Sequence, residues 1–298
     1  MATTTQSRTR SKTKTAKKSA KPVATKDVTP KKVSAAKVSS ARRLGGEMTH
    51  HTLKQLHLVS GALFIVLAVL AGVLMQSHYY EMTLGFMTSD ALLSSDGTVF
   101  APAIRVIYNL DLKWMIAGIM VVSALFSLVR ATRRHHLEVK GCNNKSLPSR
   151  WLDYGVTFGL LTAASFVLAG MQDVVALRLT AALFGTSAIF SWLAERGVAE
   201  KGHYQGAHLA ALLAGFLPWL GVIVYTIATP IFGSVRAPWY VYAATAAVFI
   251  GVFLFEINKG RQITGQAKNY LNVERNYVVI DFVTKVSWAV VLIAGLQK

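Results

Sequence analysis

Seven apolar segments, each close to 20 residues long, constrain the fold of this chain more than any other feature. They cover Leu53–Gln76, Leu112–Arg130, Trp151–Gly170, Val174–Leu193, His208–Ala228, Trp239–Asn258 and Asn276–Leu296. A helix of about 20 apolar residues crosses the hydrocarbon core of a bilayer. Charged residues make up only 15% of the chain, whereas about a quarter is usual in soluble domains. The sequence therefore predicts an all-α membrane protein, a bundle of seven transmembrane helices.

The first 50 residues differ in composition from the rest. They hold 13 of the 32 Lys and Arg residues, only two acidic residues and no aromatic residue. Such a stretch cannot bury enough apolar surface to fold alone. We therefore predict a disordered basic tail over residues 1–50 and a membrane domain over residues 51–298. Anionic membrane lipids are the favoured partner of the tail; nucleic-acid binding is unlikely, and a transit peptide is a third interpretation.

Basic residues in the loops predict the orientation of the bundle. The loop after the second segment holds six of them, whereas the opposite side of the bundle has only Arg105, Lys113, Arg236 and Lys298. Loops rich in Lys and Arg stay in the cytoplasm. The N-terminus is thus predicted to be cytoplasmic and the C-terminus to lie outside, in a multi-pass protein of the cell membrane.

The segment between the first two spans, residues 77–111, is the only long external connection predicted. It contains the Asp-Gly pair of "SSDG" between short apolar runs, a pattern that favours a tight hairpin turn. We predict a small external β-hairpin here, which caps the bundle or pairs with a neighbouring subunit.

The seventh segment carries Asp281 and Lys285, four residues apart and thus on one helix face. Each charge at the centre of a bilayer costs about 2.5–3.5 kcal/mol on insertion scales. Asp153, in the third segment, is predicted to lie at a similar depth. Lys285 would then sit between two carboxylates, with Arg150, one turn before Asp153, completing the charge balance.

Two interpretations of this lysine remain open from the residues. In one, Lys285 and Asp281 form a structural ion pair. In the other, Lys285 reacts with an aldehyde, because burial favours the neutral amine that attacks a carbonyl carbon. The cation that results needs a carboxylate beside it, and retinal is the aldehyde that a seven-helix pocket usually holds.

Motifs spread along the chain resemble those of the heliorhodopsins, retinal proteins with a cytoplasmic N-terminus. They are "LKQLHLVSGALFIVLAVL", "SRWLDYG", "AALFGTSAIFSWLAE", "GFLPWLGVIVY" and "ERNYVVIDFVTKVSWAVVL", and the resemblance covers roughly residues 50–298. It implies that all-trans retinal is bound as a Schiff base on Lys285, with Asp153 as counterion. Tyr154 and Trp219 would line the retinal. Phe249 is a further aromatic candidate, with bundle packing as the alternative.

The chain departs from the family pattern at four positions. Asp153 stands where the family has Glu, and Asp281, a second carboxylate, stands where it usually has Ser. Phe64 and Ser127 occupy places where the family carries histidines.

Two other polar residues have less specific interpretations. His57, near the start of the first span, is predicted to be a packed polar residue. Glu256 is predicted to reach the membrane interface, with a proton-path function as the alternative.

These observations favour a heliorhodopsin-like photoreceptor, not an enzyme and without a metal site. The expected partners are a second copy of the chain, as the family resemblance suggests, and an unknown cytoplasmic signalling protein. A light-driven or light-gated ion transporter, with protons as the ion, is the first alternative, because two carboxylates beside a Schiff base also suit a proton pump. A non-photoactive scaffold or transporter is the second.

Overall fold

The computed structural model describes residues 49–89, 100–133, 135–200, 202, 204–233, 236–265 and 269–297. These ranges contain eight α-helices and a pair of β-strands. In chain order the elements are α1 (His50–Leu74), β1 (Tyr79–Ser89), β2 (Phe100–Asp111), α2 (Leu112–Ala131), α3 (His135–Asn143), α4 (Pro148–Leu168), α5 (Val174–Ala199), α6 (Gln205–Phe232), α7 (Trp239–Ile263) and α8 (Tyr270–Gly295). The predicted basic tail lies outside the described residues, apart from its last two.

Seven of these helices are long and apolar enough to cross a membrane: α1, α2 and α4–α8. The predicted seven-helix bundle is therefore confirmed. The eighth helix, α3, has only nine residues, too few to span a bilayer, and joins α2 to α4. The sequence pattern predicted a loop there.

Helix α4 is the central helix of the bundle. Of its membrane-length segment, 78% is buried, compared with 28–44% in the other six spans. Because other helices surround it, α4 can carry polar side chains that do not face lipid. Pro148 occupies the first turn of α4, where the missing N–H of proline costs no helical hydrogen bond.

Helix α8 begins earlier than the hydropathy pattern predicts. The predicted span starts at Asn276, but the helix starts at Tyr270, after Asn269 accepts a hydrogen bond from the N–H of Leu271. The additional turn and a half places Glu274 inside the bundle, where it is fully buried. The charge of Glu274 interrupts the apolar pattern of the sequence, but helix α8 continues through this residue.

The two strands form an antiparallel hairpin, as predicted, with Tyr79 opposite Asp111. The predicted Asp-Gly turn lies outside the described residues. The hairpin packs on the bundle through Met82, which is buried against Val167 and Val174. The N–H of Thr83 also donates to the carbonyl of Gln172, at 2.8 Å, and holds β1 to the turn between α4 and α5.

Close packing of α7 on α8 generates a first prediction. A Cβ atom at Gly251 would lie 2.8 Å from Cβ of Thr284, the residue before Lys285. We expect Gly251→Ala to destabilise the protein by about 1–3 kcal/mol, as overpacking of a tight contact does. Gly260→Ala, on the same helix, is the matched control, because no atom lies within 4 Å of its added Cβ. Thermal unfolding in detergent measures both, and equal midpoints would contradict the prediction.

Candidate functional site

Lys285 lies between two carboxylates in the middle of α8. Its side chain is completely buried. The Nζ atom is 2.6 Å from Oδ1 of Asp281, one turn earlier on the same helix, and 3.4 Å from Oδ1 of Asp153 on α4. The ring centroids of Phe64 and Phe158 lie 5.5 and 5.9 Å from Nζ. The structure thus brings together the three ionisable residues that the sequence pattern singled out, within an aromatic surround.

Asp153 has further partners around its carboxylate. Its Oδ1 atom accepts a hydrogen bond from Thr157, at 3.3 Å, and Oδ2 lies 3.8 Å from Nη1 of Arg130 on α2. Asp281, by contrast, has Lys285 as its only ion-pair partner among the described residues. The two carboxylates that flank the lysine therefore differ in their contacts, since among the described residues only Asp153 has a second cation within ion-pair distance.

Arg130 binds carboxylates from three helices. Besides Asp153, it donates from Nη2 to Glu274 on α8, at 2.6 Å, and from Nε to Glu138 on α3, at 3.1 Å. The guanidinium group suits this position because its five donors lie in one rigid plane. Arg130 is almost fully buried, so these carboxylates replace the water that an exposed arginine would bind.

Arg150 lines the same small cavity as Asp153, but its charge is balanced by other carboxylates. Its guanidinium forms ion pairs with Glu274 and with Glu195 on α5, and none with Asp153 in the part of the chain that the structure describes. The spacing of one helical turn placed Arg150 near Asp153 in sequence, but the side chain extends toward α5 and α8. Arg130 takes the predicted place of Arg150 as the cation next to Asp153.

Glu195 closes the opposite end of the same network. It accepts hydrogen bonds from four groups besides Arg150: the indole of Trp151, the N–H of Leu147, the amide of Gln262 and the hydroxyl of Tyr270. These donors take the place of the water that an exposed carboxylate would bind. The ring of Trp151 also lies 4.7 Å from the guanidinium carbon of Arg150.

We call the connected set of ion pairs the buried charge network. It consists of Lys285, Asp281, Asp153, Arg130, Glu138, Glu274, Arg150 and Glu195. Three of its members are basic and five are acidic, so the ionised network carries two negative charges in excess. This excess stabilises a positive charge at Lys285, which lies at the apolar end of the network.

A second buried cluster lies between α4, α5 and α7. Lys259 pairs with Glu256, one turn earlier on α7, and donates to the hydroxyl of Ser191, at 3.1 Å. The hydroxyl of Tyr154 approaches Glu256 at 3.4 Å. The prediction that Glu256 reaches the membrane interface was wrong, because this carboxylate is buried and paired inside the bundle.

A small polar cavity adjoins Asp153 and Asp281. Its lining includes His57, Ser60, Ser127, Arg130, Asp153 and Asp281. The volume open to the centre of a water molecule is about 10 Å³, which is about enough space for one water molecule. Ser127 thus lies on this cavity, whereas Phe64 packs near the lysine. His57 is buried, as predicted for a packed polar residue, and its Nε2 has no hydrogen-bond partner among the described residues.

The predicted aromatic residues occupy different surroundings. Trp219 on α6 is buried and meets Phe249 on α7 edge to face, with ring centroids 5.2 Å apart. Phe249 itself is 37% exposed, so it lies at the rim of the bundle core. The ring of Tyr154 stacks on Phe255 at 4.3 Å. Trp219 and Tyr154 belong to the same apolar core as Phe158, beside Lys285.

Five charged members of the two clusters were not predicted from the sequence: Arg130, Glu138, Glu195, Glu274 and Lys259. Each lies at or beyond the end of an apolar segment, where a charge usually faces water. One signal was available, since Glu256 and Lys259 are three residues apart and thus share a helix face. Nothing in the pattern marks Glu138 or Glu274 as buried.

Cys142 lies on α3, outside the membrane spans, and is buried against Leu53, Leu147 and Val278. Burial raises the pKa of its thiol to about 12, because the thiolate would lose its water. The thiol is therefore protonated and unreactive at neutral pH while α3 stays packed in this position.

The fold and the site together define a class: a seven-helix membrane protein whose last helix holds a buried lysine between two carboxylates. The heliorhodopsin family model matches residues 51–296, and the chain belongs to this family. It is accordingly a retinal-binding, rhodopsin-type, multi-pass integral membrane protein, from a light-sensing family that is not known for catalysis. Comparison with curated proteins gives no match.

Glu274 is the carboxylate that joins the two buried arginines, and this generates a second prediction. In Glu274→Gln one guanidinium faces an amide N–H₂ in place of a carboxylate oxygen. We expect a loss of stability of about 3–5 kcal/mol, as for other broken buried ion pairs. The control is Glu200→Gln, which breaks the exposed pair with Arg196 on α5 and should have little effect. Thermal unfolding measures both variants, and a Glu274→Gln midpoint as high as that of the control would contradict the prediction.

Proposed function

We propose that this protein is a light-sensing retinal protein in which Lys285 binds all-trans retinal as a Schiff base, Asp153 is the counterion and Asp281 is a second carboxylate. The observation that carries the proposal is the burial of Lys285 with carboxylates at 2.6 and 3.4 Å. A lysine without water around it is expensive unless its charge is used or fully compensated. Family membership supplies the retinal; the arrangement of carboxylates supports the assignment of this lysine.

The surroundings of Lys285 fit a long apolar chromophore. Buried aromatic and aliphatic side chains form one continuous core from Phe64 and Phe158 to Trp219 and Trp288. Within the described residues, the indole N–H groups of Trp219 and Trp288 have no hydrogen-bond acceptor. Both rings belong to this core, where their apolar faces can pack against a bound polyene. Trp219 and Tyr154 would hold the chromophore, with Phe249 at the rim.

Retinal supplies light absorption and a bond that isomerises, and the protein residues supply the electrostatics. The two carboxylates hold a positive charge on the lysine nitrogen. Arg130 adds a positive charge beside the other oxygen of Asp153, at 3.8 Å. Asp153 and Asp281 both line the polar cavity, so a proton can pass between them while the helices stay packed. Movement of the lysine nitrogen therefore changes its interaction with the two carboxylates. The buried charge network can carry this change to α2, α3 and α5.

The orientation and the assembly of the protein belong to the same proposal. The N-terminus is proposed to lie in the cytoplasm. Arg130, Arg150 and Lys259 are buried and therefore do not count as loop residues. Without them, the N-terminal side of the bundle still holds more Lys and Arg residues than the opposite side.

A homodimer is proposed as well, and the apolar side chains that the hairpin exposes support a partner there: Phe86, Met87, Ile104 and Val106. Signalling would require a cytoplasmic partner protein.

Two buried lysines allow a matched test of the chromophore site. Both Lys285 and Lys259 are buried and have a carboxylate one turn earlier on the same helix. Protein reconstituted with all-trans retinal should show a visible absorption band that Lys285→Ala loses and Lys259→Gln retains, because a Schiff base forms on Lys285 alone. Absorption spectra of the three proteins decide the matter. A band that survives in Lys285→Ala would overturn the assignment.

A further prediction concerns which carboxylate is the principal counterion. An anion beside the lysine nitrogen raises its affinity for a proton, so removal of that anion lets the nitrogen deprotonate at lower pH. Asp153 forms ion pairs with both Arg130 and Lys285, whereas Asp281 pairs with Lys285 alone among the described residues, and a second cation favours a negative charge at a carboxylate. We therefore expect Asp153→Asn to lower the alkaline pH limit of the visible band by more than Asp281→Asn does. Titration of the band above neutral pH measures this limit, and the reverse order would assign the role to Asp281.

A further inference from the structure

Arg130 is placed differently from every other cation of the network. It contacts Asp153 beside the chromophore lysine, and it also contacts Glu138 on α3, outside the membrane spans. Arg150, the other buried arginine, contacts Glu195 and Glu274 but neither Asp153 nor α3 in the described part of the chain. One guanidinium group therefore lies between the proposed counterion and the short helix.

Helix α3 depends on few contacts to hold its position. Glu138 is buried and forms the only ion pair of α3 among the described residues, with Arg130. Its carboxylate also accepts a hydrogen bond from the hydroxyl of Ser149, at 2.5 Å. On the same helix, Cys142 packs against Leu53 and Leu147. A nine-residue helix is not stable alone in water, so these contacts keep α3 helical and docked.

We propose that Arg130 is a positioning residue for the counterion Asp153, and that it couples the charge of Asp153 to the docking of α3 through Glu138. The inference rests on the proposed function, since Asp153 is a counterion only if Lys285 carries the chromophore. It adds a route by which a charge change in the bundle reaches the proposed cytoplasmic face.

The coupling follows from one guanidinium whose position several anions determine. An ionised Asp153 attracts the guanidinium toward α4, whereas a neutral Asp153 lets it move closer to Glu138 and Glu274. By reciprocity, a change at Glu138 must alter the proton affinity of Asp153. The other charged or titratable groups that face the cavity beside Asp153 are Lys285, Asp281, His57, Arg150, Tyr154 and Tyr277.

The alternative is that Arg130 only stabilises the bundle. A merely structural arginine would change the unfolding temperature when replaced, but it would not set the acid titration of the visible band. It would also give no reason for a substitution on α3 to affect that titration. The acid titration of the visible band therefore distinguishes the two possibilities, because a change in stability alone does not move it.

The first readout is the acid midpoint at which the visible band shifts as the carboxylates beside Lys285 protonate. Loss of a nearby cation makes a carboxylate protonate at higher pH, by about 1–3 units for a close arginine. Arg130→Gln should raise the midpoint by about one unit, the low end of that range because Arg130 is shared. Arg130→Lys, which keeps the positive charge, should shift the midpoint by no more than half as much as Arg130→Gln does. Arg150→Gln should also shift the midpoint less than Arg130→Gln does.

Glu138→Gln should move the same midpoint in the opposite direction. Removal of this anion lets the guanidinium move closer to Asp153 and takes away a nearby negative charge, so the carboxylates protonate at lower pH. The effect should fall by at least half when Glu138→Gln is made in the Arg130→Gln background. A double-mutant comparison of this kind isolates the part of the effect that passes through Arg130.

The second readout uses Cys142, the only cysteine in the chain, and needs no chromophore. Its thiol is buried on α3, so a maleimide reagent modifies it only when α3 leaves the bundle. At fixed pH, Arg130→Gln and Glu138→Gln should both accelerate labelling several-fold, because each leaves a buried group without its partner. Arg150→Gln, which removes no contact of α3, is the control and should label at close to the wild-type rate.

These results separate the inference from the proposed function. A wild-type protein without a visible band refutes the proposed function, and the labelling rates still test the link between Arg130 and α3. A visible band whose midpoint Arg130→Gln leaves unchanged, or moves no further than Arg150→Gln does, overturns the inference alone. The inference is also overturned if Cys142 is labelled as fast in Arg150→Gln as in Arg130→Gln and Glu138→Gln.

Discussion

Every buried charge in this bundle must find a partner within the protein, and that constraint organises the structure. Water is absent from the hydrocarbon core, so an unpaired ammonium or carboxylate there costs several kcal/mol. Lys285 meets this requirement with carboxylates from α8 and α4, and one of these carboxylates has Arg130 beside it. Each added partner brings a further charge that also has to be satisfied, and the network ends only where Glu195 finds neutral donors from Trp151 and Tyr270.

The same requirement explains two features that have no hydropathy signal. Helix α8 extends back to Tyr270 because Glu274 has two arginines to bind inside the bundle. Helix α3 docks on the bundle because Glu138 binds the guanidinium of Arg130. In both cases an acidic residue outside the predicted membrane segments is buried in the protein. The result is a site that combines an aromatic surround near Lys285 with a polar path toward the N-terminal side of the bundle.

The departures from the usual family pattern acquire a physical meaning in this arrangement. Asp281 lies closer to the lysine nitrogen than Asp153 does, so the pair shares one cation, and Arg130 distinguishes the two carboxylates. Ser127 and His57 lie on the cavity next to the carboxylates, whereas Phe64 packs against the lysine itself. The proposed photoreceptor chemistry therefore depends on the balance of carboxylates and arginines more than on any histidine beside the Schiff base.

The number of spans and the lysine-bearing face of the last helix followed from the sequence alone. Apolar run length and the spacing between Asp281 and Lys285 are local properties, and a helix preserves them wherever it packs. Only the tertiary structure decided which arginine lies beside Asp153. Arg130 lies on α2, and the packing of α2 against α4 brings it to Asp153. Arg150 lies on the same helix as Asp153, but its side chain extends to Glu195 on α5 and Glu274 on α8. The places of these partners are set by packing among many helices, so no short stretch of sequence contains them.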